Sequence, residues 1–214
     1  MPVRTGASRA GQSRAFDVDA VLEVATRLFW EHGYEATSIS MITAATGVNP
    51  PSLYAAYGDK RRLFLRVIEH YNATHGSFMA EAFREESTAA GLVHRLLHGA
   101  AEHYSDPRFP GGCLIISAAV NVTAASREVA DDLRRLRIAN VIAIAERLRQ
   151  AQASGELSSD LDADSGASYL AAIIQGLSQQ ARDGASTAQL HAIADIALQA
   201  LPALDLPSVS PTDP

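Results

Sequence analysis

The sequence predicts an all-α protein, and three observations support this fold class. Apolar residues recur three or four positions apart along most of the chain, as they do on the buried face of a helix. Glycine, proline and capping residues interrupt this periodicity where helices are expected to end, and we find no strand-like alternation of apolar and polar residues. Ser186 and Gln189 have the capping-box spacing, which predicts the start of the last helix most sharply.

Each predicted helix is bounded by residues that favour helix ends. Asp17 is placed to cap the first helix, Gly33 to end it and Gly47 to end the second. Pro50 and Pro51 fit only the first turn of a third helix, where a missing N–H costs nothing. We predict helices at residues 17–32, 38–46, 50–57, 88–104, 112–124, 126–153, 162–183 and 187–200, and a long linking helix from residue 60 to about residue 84.

The predicted elements divide the chain into four parts. Residues 1–15 are expected to form a flexible basic arm, residues 16–60 a three-helix helix-turn-helix domain, residues 61–201 a larger helical domain, and residues 202–214 a disordered tail. The net charge is −6, yet residues 1–66 carry eight basic and six acidic side chains, whereas the rest carries ten basic and eighteen acidic ones. This division is typical of a protein whose N-terminal end alone faces phosphate.

Composition and motifs argue against several classes of protein. No apolar run reaches the roughly 18 residues needed to cross a bilayer, and residues 1–14 lack the apolar region of a secretory signal. The single cysteine, Cys113, excludes an internal disulfide and favours a reducing cytoplasm. No phosphate-binding glycine loop, nucleophile elbow or metal-hydrolase motif is found, so we expect neither an enzyme nor a cofactor. A helical protein that only interacts with other proteins, and binds no DNA, is the remaining alternative to the phosphate-facing protein that the charge division indicates.

The helix predicted at residues 50–57 has the composition of a DNA-reading helix. Residues 49–57 carry small, hydroxylated or aromatic side chains and no carboxylate, so repulsion does not oppose close approach to phosphates. A short helix precedes it across Gly47, which is the helix-turn-helix arrangement, in which the second helix enters the major groove.

These residues resemble the DNA-binding domain of tetracycline-repressor (TetR) family regulators. The core of the resemblance is Gly47-Val-x-x-x-Ser-Leu-Tyr-x-x-Tyr-x-x-Lys60, and it extends over roughly residues 14–71, including Leu28-Phe-Trp-Glu-His-Gly-Tyr-Glu-Ala-Thr-Ser-Ile39. The resemblance implies a repressor that binds a palindromic double-stranded operator as a homodimer and is released by an unidentified small molecule, without a membrane partner. It also implies that the larger domain, residues 61–201, binds that effector and dimerises.

The resemblance also implies roles for single residues. Thr37 and Ser38 would cap the second helix and contact phosphate, whereas Ser40 occupies a position where many members carry an arginine that reaches a base. Bases would be met by the start of the recognition helix, and phosphates by Tyr54, Lys60 and a clamping Tyr57, for which packing is an equal alternative. The full set of predicted DNA-binding residues is Thr37, Ser38, Ser40, Asn49, Pro50, Pro51, Ser52, Tyr54, Tyr57, Lys60 and, from the arm, Arg14.

The last two predicted helices are expected to form the dimer surface, because family members dimerise through the larger domain and because these helices combine small with large apolar residues. Small residues allow helices to approach closely, and two helices from each subunit would form a four-helix interface. Intrachain packing is the alternative. The predicted interface residues are Leu170, Ile173, Ile174, Leu177, Ile193 and Ile196.

Three features could mark an effector site. Aromatic and polar residues on the middle helices could line a mostly apolar pocket: Tyr71, His75, Phe78, Phe83, Tyr104, Cys113 and Asn121. Cys113 follows two glycines at a predicted helix start, which would favour a reactive thiolate that senses electrophiles or oxidants, with a small buried hydrophobe as the alternative. His94 and His98, one turn apart, could bind a metal with His103 or Cys113, but chance also produces such pairs, so no metal is expected.

Overall fold

The computed structural model describes residues 17–200, so the predicted arm with Arg14 and the predicted tail lie outside the described residues. Within this range every regular element is a helix, which confirms the predicted class. No helix in this range is long and apolar enough to cross a membrane. The helices are α1 (Val18–Ala36), α2 (Ile39–Thr46), α3 (Pro50–Tyr57), α4 (Lys60–Ala73), α5 (Ser77–Glu85), α6 (Ala89–Tyr104), α7 (Leu114–Ser117), α8 (Arg127–Ser154), α9 (Ala163–Arg182) and α10 (Thr187–Gln199), with a 3-10 turn at Ala124–Ser126.

The helix ends of the N-terminal part are held by side-chain caps. One oxygen of each capping side chain accepts hydrogen bonds from first-turn backbone N–H groups at 2.8–3.2 Å, and the caps are Asp17, Ser38, Asn49 and Asp59. Gly47 ends α2 in the left-handed conformation, with φ 71°. These ends agree with the predicted ones to within a residue.

An aromatic cluster joins the first four helices into one core. The rings of Phe29, Tyr34 and Phe64 lie 4.9–5.9 Å apart, centroid to centroid. Ile42 from α2 and both Leu53 and Tyr57 from α3 are buried in the same core, so these few side chains fix the two short helices against α1 and α4. Their remaining faces are free to contact a partner.

Gly33 interrupts α1 near its C-terminal end. Its backbone leaves the helical region with φ 79° and ψ 171°, a conformation that side chains rarely allow. The following N–H, on Tyr34, therefore donates to the carbonyl oxygen of Ala118 at 2.6 Å instead of to its own helix. The sequence predicted a helix end at Gly33, whereas a short helical turn continues to Ala36.

Two predicted helices differ from the structure. The linking helix predicted to reach residue 84 is divided into α4 and α5 by the turn at residues 74–76, where the N–H of Gly76 donates to the Tyr71 carbonyl at 2.7 Å. The helix predicted at residues 112–124 shrinks to α7 and the 3-10 turn. Its later backbone groups bond to α1 instead: the Ala118 carbonyl accepts from Tyr34, and the Thr123 N–H donates to the Glu35 carboxylate at 2.7 Å.

The C-terminal half packs around α6. This helix is buried along most of its length, with Leu92, Val93, Leu96 and Leu97 at its centre, between α9 and α10 on one side and α5 on the other. Ser186 and Gln189 form the predicted capping box, because each side chain bonds to the backbone N–H of the other. The resulting bundle places α4, α5, α7, α8 and α9 around an internal cavity.

Candidate functional site

The surface formed by α2 and α3 is uncharged and exposed. Residues 38–58 contain no acidic or basic side chain. Five of the predicted DNA-binding residues are exposed there and Ser52 is half-buried; the exposed ones are Ser40, Asn49, Pro50, Pro51 and Tyr54. A neutral, protruding helix of this kind can enter a groove between two rows of phosphates without a desolvation cost for charged groups.

Asn49 has two functions available on one side chain. Its Oδ1 accepts from the Ser52 N–H at 2.9 Å and so caps α3. Its Nδ2 group points away from that cap with two donors, which is the chemistry that reads a base acceptor. The prolines that follow fill the first turn of α3, which confirms their predicted position.

Thr37 and Tyr57 do not have the predicted phosphate-binding placement. The Thr37 side chain is fully buried, and its hydroxyl lies 2.8 Å from the Gly33 carbonyl and 3.1 Å from the Leu28 carbonyl. Ser38 alone caps α2, with its Oγ also 2.7 Å from that of Ser40. The Tyr57 ring is buried and its hydroxyl donates to the Val18 carbonyl at 3.2 Å, so Tyr57 packs α3 against α1.

Tyr54 and Lys60 lie at the rim of the uncharged surface. The Tyr54 side chain is 48% exposed. The ammonium of Lys60 lies 4.3 Å above the Tyr34 ring and 3.4 Å from the Glu35 carbonyl oxygen. Partial burial lowers the pKa of Lys60, and the Glu35 carboxylate opposes that effect.

An internal cavity of about 340 Å³ lies between the middle helices. Tyr71, Phe78, Phe83, Tyr104 and Cys113 line it, as the sequence predicted for a pocket. His75 and Asn121 do not: His75 turns towards α1, and Asn121 is exposed in the irregular segment after α7. Further lining residues come from α8 and α9, including Leu136, Arg137, Asn140, Val141, Ile144, Ile174 and Gln175.

The polar residues of the cavity wall were missed by sequence reasoning. Arg137 lies on the inward stripe of α8, one turn after the buried Leu133 and before Val141, and this position was the available signal. Its guanidinium donates to the Ile115 carbonyl at 2.8 Å, and burial lowers its pKa. With Asn140 and Gln175 it gives an otherwise apolar cavity a small set of hydrogen-bonding groups.

Cys113 faces the cavity and is buried from bulk solvent. The Tyr71 hydroxyl donates to its Sγ at 3.4 Å, and its own N–H donates to the Ser178 hydroxyl at 2.9 Å. Burial raises the pKa of both Tyr71 and Tyr104 well above the usual value, so these phenols stay protonated donors. The thiol therefore lies on the cavity wall beside the Tyr71 hydroxyl.

The predicted dimer residues divide into two sets. Leu170, Ile174 and Leu177 are buried within the chain itself, which differs from the prediction because α9 turns its large residues towards α6 and α8. Ile173 and Ile193 are half-buried, whereas Ile196 is 67% exposed. The outward faces of α9 and α10 carry small residues together with Ile196: Ala172, Gly176 and Ala192.

The histidines of α6 do not form the metal-binding combinations that their spacing in the sequence allowed. The rings of His94 and His98 lie 4.3 Å apart, but His98 bonds to His191 of α10, Nδ1 to Nδ1, at 2.7 Å. His103 instead stacks on Phe78 at 4.6 Å, and Cys113 lies in the cavity. The structure therefore does not bring together the alternative combinations of His94 and His98 with His103 or Cys113.

The N-terminal helices are joined to the rest by charged contacts. Arg61 of α4 pairs with Asp132 at 3.0 Å and Glu128 at 2.6 Å, both on α8. Arg182, at the end of α9, donates to the backbone carbonyls of Trp30 and Glu31 at 3.2 and 3.3 Å. The uncharged surface and the cavity wall thus belong to one connected set of helices.

Comparisons with known proteins agree with this architecture. Residues 21–67 match the family of bacterial regulatory proteins called the tetR family, and residues 67–197 match the tetracyclin repressor-like C-terminal domain. The chain is 34% identical to the transcriptional repressor ComR of Escherichia coli over 91% of this chain and 93% of ComR. It is 28% identical to the repressor BdcR of the same species over 89% of this chain and 92% of BdcR.

A solved structure of the TetR family regulator CifR, a cysteine mutant complexed with 26-bp operator DNA, has a TM-score of 0.84 and 36% identity. That similarity covers 88% of this chain and 99% of the CifR chain. Both halves of the described chain therefore have the sequence and the geometry of one family. The chain belongs to the TetR family of bacterial transcriptional regulators.

Proposed function

We propose that this chain is a ligand-responsive transcriptional repressor that binds a palindromic operator as a homodimer and is released when a small molecule enters the cavity. Helix α4 is the observation that carries this proposal. Its first residue, Lys60, lies at the rim of the uncharged surface, and Tyr71 in its last turn lines the cavity. A ligand that displaces Tyr71 would move the helix that supports α3.

The names of relatives support the same proposal. ComR and BdcR are repressors, and CifR is seen bound to operator DNA. A repressor of this kind would act in the cytoplasm, where its operator lies. We propose that bases are read by Ser40, Asn49, Pro50, Pro51 and Ser52, and that phosphates are held by Ser38, Tyr54, Lys60 and Arg14 of the arm.

The cavity favours a particular chemistry of effector. Its wall is mostly aliphatic and aromatic, and its volume suits a molecule of modest size. Arg137 and the amides of Asn140 and Gln175 would pair with an electronegative group, such as a carbonyl or carboxylate oxygen. We propose a mainly apolar small molecule that carries one such group.

A gel shift with DNA from upstream of the chain's own gene tests DNA binding. Lys60→Ala should weaken binding to every sequence alike and reduce the salt slope by about one unit, because one phosphate contact is lost. Asn49→Ser keeps a capping oxygen but removes two donors, so it should cost about 1–3 kcal/mol at particular base pairs. Arg84→Ala, an exposed change far from the reading surface, is the matched control. Failure of the wild-type chain to shift any DNA would favour the interaction-protein alternative.

A thiol sensor of the same fold is a second candidate, favoured by the position of Cys113 on the cavity wall. A Michael acceptor held in the cavity would form a C–S bond between its β-carbon and Sγ as its C=C π bond breaks, and its α-carbon would take up the proton that the thiol loses. A maleimide should then release DNA from the wild-type chain but not from Cys113→Ser, which should bind DNA normally. A thiol that stays unmodified in the folded chain would restrict Cys113 to packing.

A further inference from the structure

A cluster of two imidazoles and one carboxylate lies outside the cavity, where α1 meets the turn after α4. Glu23 comes from the middle of α1, His70 from the last turn of α4, and His75 from the turn between α4 and α5. Glu23 Oε2 lies 3.2 Å from His70 Nε2 and 2.9 Å from His75 Nε2. The sequence did not predict this cluster, because its members are 47 and 52 positions apart.

The spacing of the three ligand atoms suits a metal ion. All three lie within 4.8 Å of one another. Zinc bound at about 2.0–2.1 Å in a tetrahedron would separate its ligands by about 3.3 Å, so the two carboxylate–imidazole distances need to change by only a few tenths of an ångström. The third separation, between the two imidazole nitrogens, is at most 4.8 Å and would have to come to the same value. Ca²⁺ and Mg²⁺ prefer oxygen ligands, so the two imidazole nitrogens argue against these ions. Imidazole and carboxylate ligands without a thiolate favour a divalent first-row transition metal.

Surrounding residues already orient the three ligands. Arg27 donates to the other oxygen of Glu23, Oε1, at 2.8 Å, which leaves Oε2 turned towards both imidazoles. The His75 ring is held between Phe109, at 4.5 Å, and Trp30, at 5.7 Å. Supporting contacts of this kind are what fix ligands around bound metals.

An ion could reach this cluster from solvent. The side chains of Glu23, His70 and His75 are 33, 18 and 12% exposed. His75 also lines a separate open cavity of about 340 Å³, together with Thr74 and Asp106. A fourth ligand, such as water, therefore has a path to the ion, as an incomplete protein ligand set requires.

We propose that Glu23, His70 and His75 bind one divalent transition-metal ion per chain. The ion would replace the protons that now join the imidazoles to the carboxylate. Because it would connect α1 to both ends of the turn that follows α4, it would restrain residues 70–76. Tyr71 and Gly76, which lie within that segment, line the cavity. Metal occupancy would thus stabilise the wall of the cavity nearest the N-terminal helices, whether or not the chain represses transcription.

Titration of the untagged full chain with Zn²⁺, followed by calorimetry, tests the site. We expect one ion per chain, and an affinity at least about 100-fold weaker in Glu23→Gln and in His75→Gln, because each change removes a direct ligand. His98→Gln is the matched control, since His98 belongs to the other histidine cluster, with His94 and His191. Unchanged binding in both site variants, or loss of binding in His98→Gln, would overturn the proposal.

A measurement on the wild-type chain covers the case in which a variant fails to fold. X-ray absorption of the zinc-loaded protein should show two imidazoles and a light-atom oxygen ligand, and Zn²⁺ should slow hydrogen exchange in residues 70–76. Absence of zinc binding up to millimolar concentration, or a spectrum with one imidazole or none, would refute the site. Neither readout depends on DNA or on a ligand in the main cavity.

Discussion

The Thr37 hydroxyl holds together the end of α1, although its position beside the capping residue of α2 favoured a phosphate contact. It is enclosed by carbonyl groups of Leu28 and Gly33, where α1 departs from helical geometry. A buried hydroxyl with backbone partners stabilises the fold, because its removal takes away a donor that the Thr37 backbone N–H, 3.3 Å from the Gly33 carbonyl oxygen, replaces only in part. Ser38, one residue later, is half-buried and remains the residue proposed to contact phosphate.

Thr37→Val should therefore lower the free energy of unfolding by about 1–2 kcal/mol, measured by urea denaturation. The same variant should keep the wild-type salt slope of DNA binding, in contrast with Lys60→Ala. Thr43→Val is a control, because the Thr43 hydroxyl donates to the Ser40 carbonyl at the surface and its loss should change stability little. A reduced salt slope of DNA binding in Thr37→Val would instead indicate that Thr37 contacts phosphate.

Helices α6 and α10 are joined by a pair of imidazoles instead of an apolar contact alone. His98 lies 2.7 Å from His191 through their Nδ1 atoms, while its Nε2 lies 3.3 Å from the Asp195 carboxylate. Burial is the main cause that lowers the pKa of His98, and the nearby His94 lowers it further, whereas the Asp195 carboxylate opposes the shift. The folded protein therefore favours neutral His98.

The stability of this contact should depend on pH. Below about pH 6.5 the unfolded chain binds a proton at His98 that the folded chain still excludes, so stability falls as pH falls from there towards the folded pKa. Urea unfolding at about pH 7.5 and about pH 5.5 should show a smaller loss in His98→Gln than in the wild type. His32→Gln, which changes an exposed histidine, should match the wild type. An equal loss in His98→Gln would refute this role.

At the scale of elements, sequence reasoning located helix ends correctly where capping residues determine them. It failed where contacts with distant parts of the chain determine them. The boundaries at Asp17, Gly47 and Ser186 follow from local hydrogen bonds, which a sequence displays directly. The segment after Ser117 has helical periodicity, but its backbone groups bond to Tyr34 and Glu35, more than 80 positions earlier. No local pattern contains that information.

At the scale of the whole molecule, the outward faces of α9 and α10 are the surface proposed for the second subunit. Prediction of single interface residues failed for Leu170, Ile174 and Leu177, because an apolar stripe alone does not distinguish a core from an interface. The position of α3 was predicted better, since Gly47, the two prolines and Gly58 mark its ends in the sequence. The polar cavity wall escaped prediction because its members come from separate helices.

Ile196→Arg should convert the proposed dimer into a monomer at micromolar concentration, because the proposed interface would bury an unpaired charge between subunits. Light scattering coupled to size exclusion measures this directly. Ile142→Arg, on the exposed side of α8 with the side chain 60% exposed, should leave the dimer intact. Ile174→Arg should instead unfold the chain. Dimers in Ile196→Arg would place the interface elsewhere.

The break at Gly33 means that the N-terminal helices are not a self-sufficient module. The Tyr34 N–H finds its acceptor on Ala118, in the other half of the chain, and a Cβ at Gly33 would lie 3.2 Å from the same carbonyl oxygen. In a chimera that joins residues 17–67 to a foreign C-terminal half, the Tyr34 N–H would have no acceptor unless the foreign half supplies an equivalent carbonyl oxygen. Recombination between such regulators is therefore restricted to pairs of proteins that share the loop after α7. This loop and α1 must be inherited together.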